Sequence, residues 1–318
     1  MKITDILAKD KPSFSFEFFP PKSDEGVAAL MQTASSLRPL EPAFVSVTYG
    51  AGGGTRARTI DVVKAMKRDL ALEAMAHLTC VGASAHQLSD VLRELQSAGI
   101  DNVLALRGDP PRGSTEFVRS EGGFEHATSL VELAKNAFDF CIGAACYPEK
   151  HIEATDLATD LRHLRTKVQA GARFLITQLF FDNEKYFVFV EKARRLGIDV
   201  PIIPGIMPIT NAEQVARFTS MCGATIPAAL LSELEARRGQ PEAILDLGVA
   251  YATLQCVDLL AGGVPGIHFY TLNKSPASKA VVSALKAARP WERGAGRRYI
   301  ESGDNVLGFG VGLQEPIS

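Results

Sequence analysis

An alternation repeated eight times constrains this chain more than any other feature. Short β-rich apolar runs occur at FSFEFF (Phe14 to Phe19), FVSVTYG (Phe44 to Gly50), LEAMAHLTC (Leu72 to Cys80) and NVLALRGD (Asn102 to Asp109). They continue at CIGAACYPE (Cys141 to Glu149), FLITQLFFD (Phe174 to Asp182), PIIPGIMP (Pro201 to Pro208) and GIHFYTLN (Gly266 to Asn273). The segments between them carry apolar residues at helical spacing, as in Leu88, Val91, Leu92 and Leu95. Strand followed by helix, eight times over, predicts a parallel sheet closed into a single-domain (β/α)8 TIM barrel. The competing doubly wound sheet usually carries GxGxxG after its first strand, whereas here Pro20 and Pro21 follow Phe19. Gly99, Gly171 and Gly197 stand where helices should stop. Residues 225–261 read as extra helices before the eighth strand, and the stretch from Pro111 to Phe124 as a loop. The pattern lapses after Arg289, so we assign residues 1–290 to the barrel and 291–318 to a Gly-rich tail.

Composition narrows the function. Net charge is -2, with 46% hydrophobic and 22% charged residues. A nucleic-acid or anionic-membrane partner would want a basic excess, and none is present. The first residues, MKITDILAKDKPS, are too polar for a signal peptide, and no uninterrupted apolar run approaches membrane-spanning length. The five cysteines are scattered, with no CxxC pair and no thiol–imidazole cluster at zinc-ligand spacing. They read as reduced, packed thiols in a cytoplasmic protein without a metal site.

In a barrel, alternate strand residues face the lumen and the outer helices. Ser15 and Glu17 alternate with Phe14, Phe16 and Phe18; Ser46 and Thr48 with Val45 and Val47; His77 and Thr79 with Ala76 and Leu78; His268 and Tyr270 with Ile267 and Phe269. Glu17 is thus expected inside the barrel, while Arg107 and Asp109 close the fourth strand at the C-terminal face, where barrel enzymes keep their active sites. A carboxyl group there has its charged form disfavoured by desolvation, which suits a general acid. Glu17 reads equally as a structural carboxylate paired with Arg107, His77 as a satisfied core histidine, and Arg107 with Asp109 as a loop-fixing ion pair. The run Gly50-Ala51-Gly52-Gly53-Gly54 lacks the Lys-Ser/Thr of a P-loop, and Thr55 falls where GxGxxG wants glycine.

The runs FEFFPPK, FVSVTYGAGG, HLTC, ALRGDPP, YPEKH, TQLFFD, IIPGIMP and HFYTLN, in this order from about Pro12 to Pro290, resemble the methylenetetrahydrofolate reductase family. The resemblance implies a (β/α)8 barrel that binds FAD and passes a hydride from NADH or NADPH, in ping-pong order, to a folate one-carbon unit. It implies a role in one-carbon metabolism and methionine biosynthesis, and a homo-oligomer. Glu17 would be the general acid and Asp109 the carboxylate beside the flavin and pterin. Gln178, Tyr186, Phe218 and Lys274 would contact folate, with Phe218 also stacking on the nicotinamide. Thr48, His77, Arg107 and Gly108, with Asp109, would line the isoalloxazine. Tyr147, His151 and Ala154 would hold the middle of the cofactor, Asp160 its ribose or adenine side, and Lys167 its pyrophosphate.

The chain departs from the pattern at Lys274, where many relatives have arginine; lysine keeps the charge and loses the bidentate fork. His163 and Thr166 replace an asparagine and an arginine of some relatives at the adenine end. A non-catalytic folate-binding or scaffold protein would gain nothing from Glu17, Arg107, Asp109 and Gln178 at the strand ends, and two further rival readings stand beside it. One runs the same site chiefly as methyltetrahydrofolate oxidation. The other is a flavin-free barrel lyase, which needs a Schiff-base lysine inside a strand, and none of the eight runs has one before its end.

Overall fold

The structure, a computed structural model, describes residues 1–49, 56–109 and 117–292. Its strands are β1 (Ser13–Phe18), β2 (Phe44–Val47), β3 (Ala74–Thr79), β4 (Asn102–Leu106), β5 (Cys141–Cys146), β6 (Phe174–Thr177), β7 (Ile202–Ile203), β8 (Gly205–Ile206) and β9 (Gly266–Tyr270). The helices are α1 (Ile3–Leu7), α2 (Asp24–Leu37), α3 (Arg56–Leu70), α4 (Ala85–Ser97), α5 (Ala127–Ala137), α6 (Leu157–Ala170), α7 (Asn183–Arg195), α8 (Ala212–Cys222), α9 (Ala228–Ala236), α10 (Pro241–Ala261) and α11 (Pro276–Ala288). The glycine run 50–54 with Thr55, the loop residues 110–116 and the tail from 293 lie outside the described residues.

All pairings are parallel and run in the order β7-β6-β5-β4-β3-β2-β1-β9-β8. The two ends of that order are halves of the one strand expected over residues 201–208, split at Pro204. Proline has no N–H to give the ladder, so β7 pairs with β6 and β8 with β9, and the sheet is a nearly closed barrel. Side chains bridge the break. The Gly205 N–H donates to Thr177 Oγ1 (2.9 Å), and the Tyr270 hydroxyl donates to the Thr177 carbonyl (2.5 Å). Gly205 makes room for this, since a Cβ there would lie 2.6 Å from the Tyr270 hydroxyl. The strands end earlier than the apolar runs suggest. Arg107, Gly108, Asp109, Tyr147 and Gln178 all fall just beyond strand ends, on the C-terminal face.

The alternation sorts side chains as expected. Phe14, Phe16, Phe18, Val45 and Val47 point outward into the main core beneath the helices. Phe44, Met75, Leu104, Phe174 and Ile203 form a separate cluster that fills the lower lumen. The short helix α1, which the polar N-terminal sequence did not announce, plugs this end with Ile3. Its backbone N–H donates to Asn102 Oδ1 (2.8 Å). Above the apolar storey the lumen turns polar, with Ser15, Glu17, Ser46, His77 and His268 all buried.

One helix among the described residues, α10, is long and apolar enough to cross a membrane by length and composition. Here it packs against α7 and α11, and Gly248 sits so close to Ile209 that any Cβ would collide with its carbonyl. A helix apolar on all sides is what a core position requires. The barrel packing runs on to Trp291, whose ring lies 6.0 Å from that of Phe14, one residue past the boundary assigned from sequence.

The lower storey leaves no spare volume at Gly143, where a Cβ would lie 2.5 Å from the Phe174 ring and 2.9 Å from Leu104. Gly143→Ala is therefore expected to lower stability by about 1–3 kcal/mol through overpacking. Urea unfolding of the two proteins measures this, and equal midpoints would contradict the packing described.

Candidate active site

Glu17 is the second-last residue of β1, and the pleat turns it into the lumen near the C-terminal mouth, where it is 6% exposed. Its Oε2 lies 3.5 Å from His77 Nε2 on β3 and 3.4 Å from His268 Nε2 on β9. Neither contact is a short hydrogen bond, so the carboxyl is hemmed by two imidazoles without being locked to either. His268 is itself fixed, with Ser15 Oγ 2.8 Å from its Nδ1, Ser46 Oγ 3.4 Å from its Nε2, and Phe44 stacked on its ring. Burial drives the His77 pKa down to about 4; the Glu17 charge opposes that shift and the His268 ring adds to it. A neutral His77 can accept a hydrogen bond from a protonated Glu17 or, in its other tautomer, donate to the carboxylate.

This geometry replaces the Glu17–Arg107 pairing weighed from sequence. Arg107 lies beyond β4 and gives both arms of its fork to Glu153 (2.6 and 2.5 Å), with its guanidinium 5.0 Å over the Phe117 ring. That hydrogen-bonded pairing raises the Arg107 pKa further. The loop-fixing partner of Arg107 is thus Glu153 rather than Asp109, and Asp109 stands exposed at the rim. Gly108 between them has φ 89, and a Cβ there would meet Val81 at 2.6 Å, so only glycine fits this turn.

The loop after β5 carries the next group. Tyr147 meets the His151 ring edge-on (4.7 Å), and burial pushes its hydroxyl pKa well up. Asp160 Oδ2 accepts from the His151 N–H (2.9 Å), the Ala154 N–H donates to the His151 carbonyl (2.9 Å), and Lys150 Nζ donates to the Ala154 carbonyl (2.8 Å). Lys167 reaches from α6 to the Ala145 carbonyl (2.8 Å), and burial lowers its pKa. The structure thus brings Tyr147, His151, Ala154, Asp160 and Lys167 into one cluster beside Arg107.

Gln178 follows β6 directly, and its Oε1 accepts from the Leu179 N–H (2.9 Å). Phe218, on α8, packs with the second apolar cluster, which Tyr270 and Leu272 also join. Lys274 is exposed just past β9, and Thr48 lies half-buried past β2, its carbonyl taking the Thr59 hydroxyl (3.0 Å). Tyr186 does not belong with them. It is buried on the inner face of α7, its ring stacked on Phe180 and its hydroxyl donated to the Ile202 carbonyl (2.7 Å), so it has no surface to offer folate. Sequence reasoning placed His268 in the lumen and gave it no role, and it missed Glu153 altogether. The period-two pattern held the first signal; nothing local marks the second. Burial pushes the Cys80 thiol up to about 12 and Cys146 higher still.

A sequence model of the family described as methylenetetrahydrofolate reductase matches residues 2–286. The chain belongs to the methylenetetrahydrofolate reductase family. It is 41% identical to the 5,10-methylenetetrahydrofolate reductase of Escherichia coli over 271 residues, which cover 85% of this chain and 90% of that protein. It is 39% identical to methylenetetrahydrofolate reductase (NADH) 1 of Arabidopsis thaliana over 313 residues, 92% of this chain. The chain spans about half the length of the plant and fungal relatives it matches (53% of the Arabidopsis protein). Among solved structures it resembles an uncharacterised protein from Clostridium thermocellum that binds two copies of 5-methyl-5,6,7,8-tetrahydrofolic acid. The TM-score is 0.61 and the identity 18%, covering 90% of this chain and 97% of that one, which supports the barrel fold.

The residues present fit the flavin that the family resemblance implies. His77 Nε2 and Thr79 Oγ1 are buried polar atoms without a hydrogen-bond partner among the described residues, a state a protein interior rarely leaves unfilled. The Lys167 ammonium has three donors and gives one to Ala145, which leaves it able to meet a phosphate.

Because His77 titrates near 4 when folded and near 6.5 when unfolded, the unfolded chain binds its proton first as pH falls. Stability is then full above pH 6.5 and declines toward pH 4, by on the order of 3 kcal/mol from this residue. His77→Asn should flatten the unfolding free energy over that window; parallel curves for the two proteins would show that His77 is not the group responsible.

Proposed function

We propose that this chain reduces 5,10-methylenetetrahydrofolate to 5-methyltetrahydrofolate, with FAD as its bound cofactor and NADH or NADPH as the electron source. The observation that carries this reading is Glu17. A carboxyl group near the mouth of the lumen, flanked by His77 and His268 and paired with no lysine or arginine among the described residues, suits a proton donor that has no permanent ion pair to maintain. A bound FAD supplies the two-electron hydride chemistry that no side chain possesses.

The chain's own residues supply the rest. Glu17 delivers a proton to the ring nitrogen that departs when the imidazolidine of the substrate opens, leaving a cationic iminium carbon as the hydride acceptor. Its two imidazole neighbours, His77 at 3.5 Å and His268 at 3.4 Å, offer polar contacts to the carboxyl as the proton moves. Asp109 at the rim favours the cationic form through its opposite charge. Gln178 offers an amide to the pterin, Phe218 a ring to stack on, and Lys274 a charge for the anionic end of folate. Lys167 would offset the pyrophosphate of the cofactor, and Tyr147, His151 and Asp160 would hold its middle and its ribose or adenine side. Thr48, His77, Arg107 and Gly108 would hold its isoalloxazine. A nicotinamide nucleotide and the folate use the same face in turn, which makes the order ping-pong. The NADH-type name of the Arabidopsis relative favours NADH as the donor.

Glu17→Gln tests the assignment. The variant keeps the shape and cannot deliver the proton. It should bind FAD and oxidise the nicotinamide nucleotide at close to the wild-type rate, while folate reduction falls by about 10²-fold or more. Undiminished folate turnover would sink the role given to Glu17.

A further inference from the structure

Asn273 ends the FYTLN run and has no part in the reading above. Its Oδ1 accepts from the Phe19 N–H (2.8 Å), and its Nδ2 donates to the Phe19 carbonyl (2.8 Å). A carboxamide that offers one acceptor and one donor to a peptide unit does what a neighbouring strand does. It extends the β1–β9 ladder beyond the last backbone register, Glu17 opposite Tyr270. Thr271 fills the interval. Its hydroxyl donates to the Glu17 carbonyl (2.6 Å), its N–H points to the same oxygen (3.4 Å), and its hydroxyl oxygen accepts from the Asn273 N–H (3.2 Å).

The backbone is strained to achieve this. Leu272 and Asn273 have φ of 51° and 58°, in the left-handed region. Asparagine tolerates that conformation, whereas for leucine it is unfavourable. The turn folds the Asn273 side chain back onto β1 instead of letting the chain leave the sheet. The clamp buries no core, since Phe19 is 39% exposed. What it fixes is the end of a strand, two residues from Glu17.

We propose that Asn273 is a positioning residue for Glu17: the two-bond clamp on Phe19 sets the height and direction at which the Glu17 carboxyl meets its substrate. The proposal rests on the reading of Glu17 as the proton donor. It implies that the clamp matters for the folate half of the cycle alone, because transfer from the nicotinamide nucleotide needs no proton from Glu17.

Two variants of the FAD-loaded full chain test it. Asn273→Ala removes both bonds. Asn273→Asp keeps the size and the acceptor for the Phe19 N–H, but loses the donor and sets a carboxylate oxygen against the Phe19 carbonyl. In anaerobic stopped flow, both should be reduced by NADH or NADPH within about twofold of wild type. Both should be reoxidised at saturating methylenetetrahydrofolate about tenfold more slowly or worse, the scale expected for a misplaced catalytic group. In the FAD-free protein, histidine ring ¹⁵N resonances give a second readout. Those of His77 and His268 should move in Asn273→Ala, as they should in Glu17→Gln. Wild-type reoxidation, equal slowing of both halves, or unmoved histidine resonances would overturn the proposal. A wild-type protein that neither nucleotide reduces would overturn the reading of the site itself, and the proposal with it.

Discussion

A carboxyl group inside a ring of strands must find polar company there, because desolvation in an apolar lumen costs several kcal/mol for an unpartnered charge. Glu17 finds it in two imidazoles, contributed by β3 and β9, and the rest of the upper lumen follows from this. Ser15 and Ser46 hold His268 in place, while burial keeps His77 neutral near physiological pH. The apolar storey below, plugged by α1, denies the cluster any exit but the C-terminal mouth. A partner with a permanent charge, such as Arg107, would hold the carboxyl as a fixed anion. Two imidazoles place no such permanent charge beside it. The bidentate Arg107–Glu153 pair, outside the lumen, keeps that guanidinium away.

Much of this was legible in the sequence because strands have period two. The alternation in FSFEFF, FVSV and GIHFY was enough to put Glu17, Ser46 and His268 on one side and the phenylalanines and valines on the other. The eightfold alternation with helices was enough for the barrel. What the sequence could not show is who meets whom across the lumen. Glu17 and His268 lie 251 residues apart in the chain, and only the closure of β1 onto β9 makes them neighbours. Glu153 was illegible for a related reason: a lone acid in the loop of YPEKH and its sequel carries no local mark of an arginine partner 46 residues earlier.

Tyr186 failed in the opposite direction. The family resemblance implied a folate contact there, yet its position on α7 is set by the helix period, which turns it onto β7 and spends its hydroxyl on Ile202. The split strand at Pro204 was visible as a proline within an apolar run, and its consequence was not: the barrel's seam is mended by Thr177 and Tyr270, neighbours only in space.

In the function we propose, the polar mouth of this barrel serves a flavin that shuttles electrons from a nicotinamide nucleotide to folate. The most direct test is the visible absorbance of the purified protein under anaerobic conditions. The expected result is a flavin spectrum that bleaches with NADH or NADPH and returns when methylenetetrahydrofolate is added. A protein that stays colourless after incubation with FAD, or a bleached flavin that methylenetetrahydrofolate fails to restore, would contradict it.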